Sequence, residues 1–255
     1  MDQTHPEPVG EAAGAACEAR PESITPGWYG KLPAAGDFLS RRVPASFVAG
    51  WDAWLSRGIV HGREALGEAW PEAFMTFPPW RFALSPGVVD AQAWVGLLLP
   101  SVDRVGRQFP LTVARPVGSD ALAELVPLAL DAFLAQVESA ALRVLQDDDV
   151  DGFERDLAAL GMVEEGNCAG RLPLAEAGPD MQPAHSALDG TLQELLARSA
   201  WATLFAGTGQ VALFWIAADA QEHAGLAHLE RGELRTELLA ELVTAAPPAR
   251  DRREP

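Results

Sequence analysis

Apolar side chains recur after Pro44 at a helical interval. Phe47, Trp51, Trp54, Leu55 and Ile59 fall at i, i+4, i+7, i+8 and i+12, which stacks them on one side of an α-helix. Ser46, just ahead of them, is the expected N-cap. A second stripe of Leu130, Phe133, Leu134, Val137, Ala141 and Leu145 predicts a long helix over about Pro127–Gln146. Pro127 suits its first turn, where a backbone N–H has no intrahelical partner, so residues 121–126 form a separate turn of helix. Between the two stripes, Trp80–Leu84, Ala93–Leu99 and Phe109–Val117 read as strands, and Trp28–Leu32 as a short strand stopped by Pro33. Their links are brief, which favours antiparallel pairing because a parallel return needs a long crossover. Helices near 151–160 and 188–205 precede a strand at 211–217, and residues 221–243 are helical or mixed.

Helices before, between and after strands predict an α/β protein: one domain over 27–244, built as a three-layer α-β-α sandwich with a mixed, largely antiparallel central sheet. Residues 1–26, rich in Ala, Glu, Pro and Gly, and residues 245–255 (AAPPARDRREP) are expected to be disordered tails. Residues 164–187 read as a long loop within the domain. Ser199–Ala218 has no charge and the length of a membrane span, but Gly207-Thr208-Gly209-Gln210 at its centre signals a turn. A helix, a turn and a buried strand are expected there, with no membrane insertion.

Charge narrows the function classes. The chain of 255 residues has 19 basic against 36 acidic residues, a formal charge of −17. Binding nucleic acid by neutralising phosphates requires the opposite balance. The deficit is uneven: residues 116–255 hold nine basic and twenty-four acidic residues, whereas 27–115 hold nine and seven. Asp147-Asp148-Asp149 with Asp151 lacks the calcium-loop ligand spacing and reads as a solvated turn between helices. Cys17 and Cys168 match no paired spacing and imply reduced thiols in a reducing compartment. The N-terminus lacks a secretory apolar segment, so a cytoplasmic location is expected.

Catalytic patterns are missing from the sequence. The histidines, His5, His61, His185, His223 and His228, make no HExxH pair, and no GxSxG, GxGxxG or GxxxxGK[ST] occurs. Asp151-Gly152 and Asp189-Gly190 fit turns and helix starts better than a metal site. The expectation is a protein that is not an enzyme and carries no cofactor and no metal.

Two segments punctuate charges and aromatics with Gly and Pro: PGWYGKLPAAGDF over 26–38 and LPSVDRVGRQFPL over 99–111. With Trp51-Asp-Ala-Trp54 and WRFALSPG over 80–87, they resemble the TagF family of type VI secretion accessory proteins, from about Gly27 to Pro116. The resemblance implies a cytoplasmic, post-translational repressor of a contractile secretion apparatus. It would act by contact with the forkhead-associated scaffold protein of that system. Lys31, Asp37, Asp103, Arg104 and Arg107 then form the rim of a partner-binding surface, with Trp28 and Trp80 as aromatic anchors beside the loops. A second reading makes the same charges an internal ionic cluster: Lys31 and Asp37 pair with each other, or Asp37 pairs with Arg104, and Asp103, Arg104 and Arg107 pin their loop. Rival functions are a structural or assembly subunit of the apparatus, or a hydrolase or phosphatase whose site the sequence hides.

Overall fold

A computed structural model of the chain describes residues 25–163, 198–216 and 226–245. The expected terminal tails, the 164–187 loop, the 188–197 part of a helix, both cysteines, His5, His185, His223 and Asp189-Gly190 lie wholly or almost wholly outside them.

The chain begins with β1 (Gly27–Gly30), β2 (Leu39–Arg41) and the helix α1 (Ala45–Leu66). A 3₁₀ turn, Gly67–Ala69, leads into α2 (Trp70–Thr76). Strands β3 (Trp80–Leu84), β4 (Ala93–Leu99) and β5 (Leu111–Val117) follow as a meander. The chain then turns helical through α3 (Ser119–Glu124), α4 (Pro127–Asp147) and α5 (Val150–Val163). After the next described helix, α6 (Arg198–Phe205), come β6 (Val211–Trp215), β7 (Ala227–Arg231) and α7 (Leu238–Thr244). The seven strands form one sheet in the order β2-β1-β5-β4-β3-β6-β7. Each neighbouring pair is antiparallel, so the antiparallel share of the expected mixed sheet extends to every pairing among the described residues.

Strand alternation separates two cores. In β4, Ala93, Val95, Leu97 and Leu99 face α3, α4, α5 and α6, while Trp94 and Leu98 face α1, α2 and α7. β6 repeats the division, with Val211, Leu213 and Trp215 on one side and Ala212 and Phe214 on the other. Three layers result, as the order of elements implies. α1 presents the expected stripe, and Phe47, Trp51, Trp54, Leu55 and Ile59 are all buried. Its cap differs from expectation. Pro44 is the N-cap and makes no side-chain bond, while Ser46 Oγ donates to Asp90 Oδ2 at 2.9 Å. Pro44 takes the capping position because its extended ψ of 156° feeds directly into the helix.

The eight tryptophans are all buried. Seven indole N–H groups donate, six of them across elements; among these are Trp51 to Thr112 Oγ1 at 2.8 Å, Trp54 to the Arg235 carbonyl at 3.0 Å and Trp201 to the Leu122 carbonyl at 2.8 Å. Each couples an apolar body in the core to a polar tie at its edge. The acidic run after α4 forms the expected turn between helices. Asp148 takes a left-handed conformation with φ 55°, and Asp149 Oδ1 accepts the Gly152 N–H at 2.8 Å, capping α5.

Candidate functional site

Both Gly/Pro-punctuated segments meet at one end of the sheet. β1 leaves the sheet at Gly30, whose φ of 142° brings the backbone against the Pro110 carbonyl. A Cβ there would stand 2.2 Å from that oxygen, so only glycine permits the approach. Lys31 is thereby turned inward. Its Nζ donates to Asp103 Oδ2 at 3.0 Å, and its carbonyl accepts Ser101 Oγ at 2.6 Å.

Asp103 organises the second loop. Its Oδ1 accepts the backbone N–H of Val105 at 3.1 Å and of Arg107 at 2.8 Å, and its Oδ2 also accepts Arg107 Nε at 2.6 Å. The turn is closed by Gly106 N–H to the Asp103 carbonyl at 2.8 Å, with Gly106 at φ 82°. The Asp103 side chain is fully buried. Burial alone would raise its affinity for a proton, but the backbone N–H of Arg107, the Lys31 ammonium, the Arg107 guanidinium and the Val105 N–H outweigh it. They hold the carboxyl well below the usual carboxylate range. The two loops are sewn together by Arg104 N–H to the Ala35 carbonyl at 2.8 Å and Arg107 Nη2 to the Gly36 carbonyl at 2.7 Å. Below them, the Phe38 ring stacks on Tyr29 and meets Phe109 edge-on at 4.7 Å between centroids. Tyr29 donates to Asp52 at 2.5 Å; burial and that carboxylate push its hydroxyl far above the usual phenol value.

The expected site residues therefore separate. Lys31, Asp103 and Arg107 form an internal ionic cluster, with Lys31 and Asp103 buried. Lys31 pairs with Asp103, seventy-two residues away, and not with Asp37. Asp37 is exposed and its carboxylate accepts the Phe38 N–H. Arg104 is exposed, and its side chain makes no ion pair or hydrogen bond among the described residues. Trp28 and Trp80 are corrected: neither reaches the surface. Each is completely buried because strand alternation points it into a core, where Trp28 donates to Glu154 and Trp80 to the Leu242 carbonyl.

Two exposed apolar groups were not anticipated. Val105 at the tip of the Asp103 turn is 70% exposed, and Phe38 is 42% exposed. The signal was available, since an aliphatic residue between Arg104 and Gly106 in a charged turn has no core to reach.

A second polar cluster, also missed, joins β7 to α7. Arg235 donates to both oxygens of Glu230 and to both of Glu241, while His228 Nε2 lies 2.7 Å from Glu230 Oε1. His228, Glu230 and Glu241 bring ligand-type atoms within 4.8 Å of one another. The guanidinium already supplies the cation these carboxylates require, so the donor set is that of an ion-pair clasp. Burial resists ionisation of Glu230, but bonds from Arg235 and His228 lower its proton affinity below the usual value. Neither of two shallow depressions among the described residues, beside α1 and beside α6, is lined by more than one carboxylate.

The loops can be placed among known proteins. The family model for the TagF N-terminal domain, described as type VI secretion system-associated, matches residues 27–160. The chain belongs to the TagF family. A similar solved structure is PA0076 from Pseudomonas aeruginosa PAO1, at 32% sequence identity and a TM-score of 0.63, covering 88% of this chain and 96% of that one. No curated protein matches. The TagF match contains both loops and every expected site residue, whereas β6, β7, α7 and the Arg235 clasp lie beyond it. No helix among the described residues is long and apolar enough to cross a membrane.

Proposed function

We propose that this protein is a cytoplasmic, non-enzymatic regulator that represses type VI secretion after translation by binding a component of the apparatus. The forkhead-associated scaffold protein is the partner of choice. The observation that supports this most is the pairing of TagF membership with the Asp103 turn: the charged family-type loops form a preorganised, solvent-facing surface whose buried charges neutralise one another. Charges consumed in mutual pairs fit a scaffold better than an acid–base pair poised for proton transfer. Repression requires only that the protein favour one state of the machine. A preference of about 1.4 kcal/mol shifts the balance tenfold.

The test is affinity capture of the scaffold protein by the purified chain, with secretion of the tube protein measured as the chain is overproduced. Capture together with reduced secretion supports the reading. Stoichiometric sedimentation with assembled sheath or baseplate instead favours an assembly subunit, and secretion unaffected by overproduction overturns repression.

A further inference from the structure

The chemistry this surface recognises rests on the function proposed for it. The exposed side chains of the surface that carry a charge or a large apolar group are Arg104, the outer edge of Arg107, Val105, Phe38 and Asp37. Arg107 is committed, its Nε to Asp103 and its Nη2 to Gly36. Arg104 is not committed. Its backbone is tied to Ala35, yet its guanidinium lies over Gly36, 3.4 Å from where a Cβ would stand, with no carboxylate taking its charge among the described residues. Of the two arginines in this turn, Arg104 is the one whose charge is left open, although acidic groups outnumber basic ones almost two to one along the chain. A planar, always-charged fork left open beside a 70% exposed valine matches a carboxylate next to an apolar side chain.

We propose that the Arg104–Val105 turn docks an acidic segment of a partner protein, in which Asp or Glu residues flank a large apolar residue. Arg104 takes a carboxylate, and Val105 covers the apolar group. The Asp103 turn holds Val105 and Arg104 in place through four bonds to one buried carboxylate, so little freedom is lost on binding. Asp37, on the facing loop, repels an evenly acidic surface and so favours a short segment in one register.

The experiment uses the full chain with p-benzoylphenylalanine in place of Val105, irradiated in cells of a type VI-secreting bacterium, and maps the crosslinked peptide. A crosslink to a segment rich in Asp and Glu around an apolar residue, lost in the Arg104→Glu background, is expected. The mapped segment is then titrated as a synthetic peptide against the purified chain. Affinity is expected to fall at least about tenfold with Arg104→Glu and severalfold between roughly 50 and 300 mM salt, and to be unchanged by Arg57→Glu on α1. A crosslink to a basic or uncharged segment, none at position 105, or an affinity indifferent to Arg104→Glu overturns the proposal. Secretion assays report separately on repression: an acidic segment captured from a protein outside the apparatus leaves the recognition chemistry intact and removes the regulatory reading.

Discussion

The protein carries two ionic clusters, each built on a buried carboxylate with an arginine a few residues away, and they do different work. Asp103 is gripped by two N–H groups of its own turn, by Arg107 at i+4 and by Lys31 from beyond β1. Glu230 receives only side chains, Arg235 and His228, and Arg235 passes on to Glu241 of α7. The first cluster shapes a loop; the second fastens a strand to a helix. The Asp103 turn also projects the Val105 side chain and an uncommitted Arg104 guanidinium into solvent, whereas Arg235 is saturated by two carboxylates. A buried ion pair therefore says little about function by itself. What distinguishes the two is whether the pair leaves its neighbours free to meet something else.

The largest expected effect comes from taking the carboxylate out of the first cluster. Asp103→Ala leaves a buried ammonium without its counter-charge and two turn N–H groups without acceptors, and is expected to lower the urea midpoint more than any other change named here. Lys31→Ala, which leaves Arg107 still bound to Asp103, is expected to cost about 3 kcal/mol in the same measurement. A smaller loss than that given by Glu230→Ala would erase the distinction between the clusters. Glu230→Ala itself is expected to cost about 2 kcal/mol, since it takes from Arg235 its bonds to β7 but leaves those to Glu241 and exposes no turn backbone. Hydrogen exchange should then quicken in β7 and α7 and stay unchanged in the 99–111 loop.

Acid sharpens the same contrast. Asp103, Glu154 and Glu230 all bind protons more weakly folded than unfolded. In the acid range the unfolded chain takes up more protons, so stability rises with pH. The contribution is complete above the usual carboxylate range and is lost as pH falls through it toward the depressed values. Asp103→Asn removes one such group, and its stability is expected to decline less steeply than wild type between about pH 5 and pH 2, followed by denaturant unfolding at each pH. Equal slopes would mean that Asp103 does not titrate differently on folding. The smallest effect on stability belongs to Arg104→Glu, within about 0.5 kcal/mol of wild type because the side chain holds nothing in place. Arg107→Ala is a poorer probe of contact, as it also takes a bond from Asp103.

Much of this was legible in order along the chain. The α1 stripe, the three strands of the meander, the break ahead of Pro127 and the helix, turn and strand across Ser199–Trp215 all follow from local periodicity and turn chemistry. β7 was not legible, because His228, Glu230 and Arg231 at a sheet edge leave a weak alternating signal. Site residues were readable as a set but not by role. Trp28 and Trp80 looked like surface anchors because they border charged loops, yet their strands point them into cores.

What the sequence determined by itself was the layered α/β architecture, the family-type loops and the glycines that let those loops turn, because spacing and backbone permissiveness act over a few residues. Only the tertiary structure decided that Lys31 finds Asp103 rather than Asp37, that Arg235 closes a clasp, and that Arg104 is left over. Ion pairing is settled by distance and burial in space, and a charge six residues away along the chain has no advantage over one seventy-two away once the sheet has brought the latter to 3.0 Å.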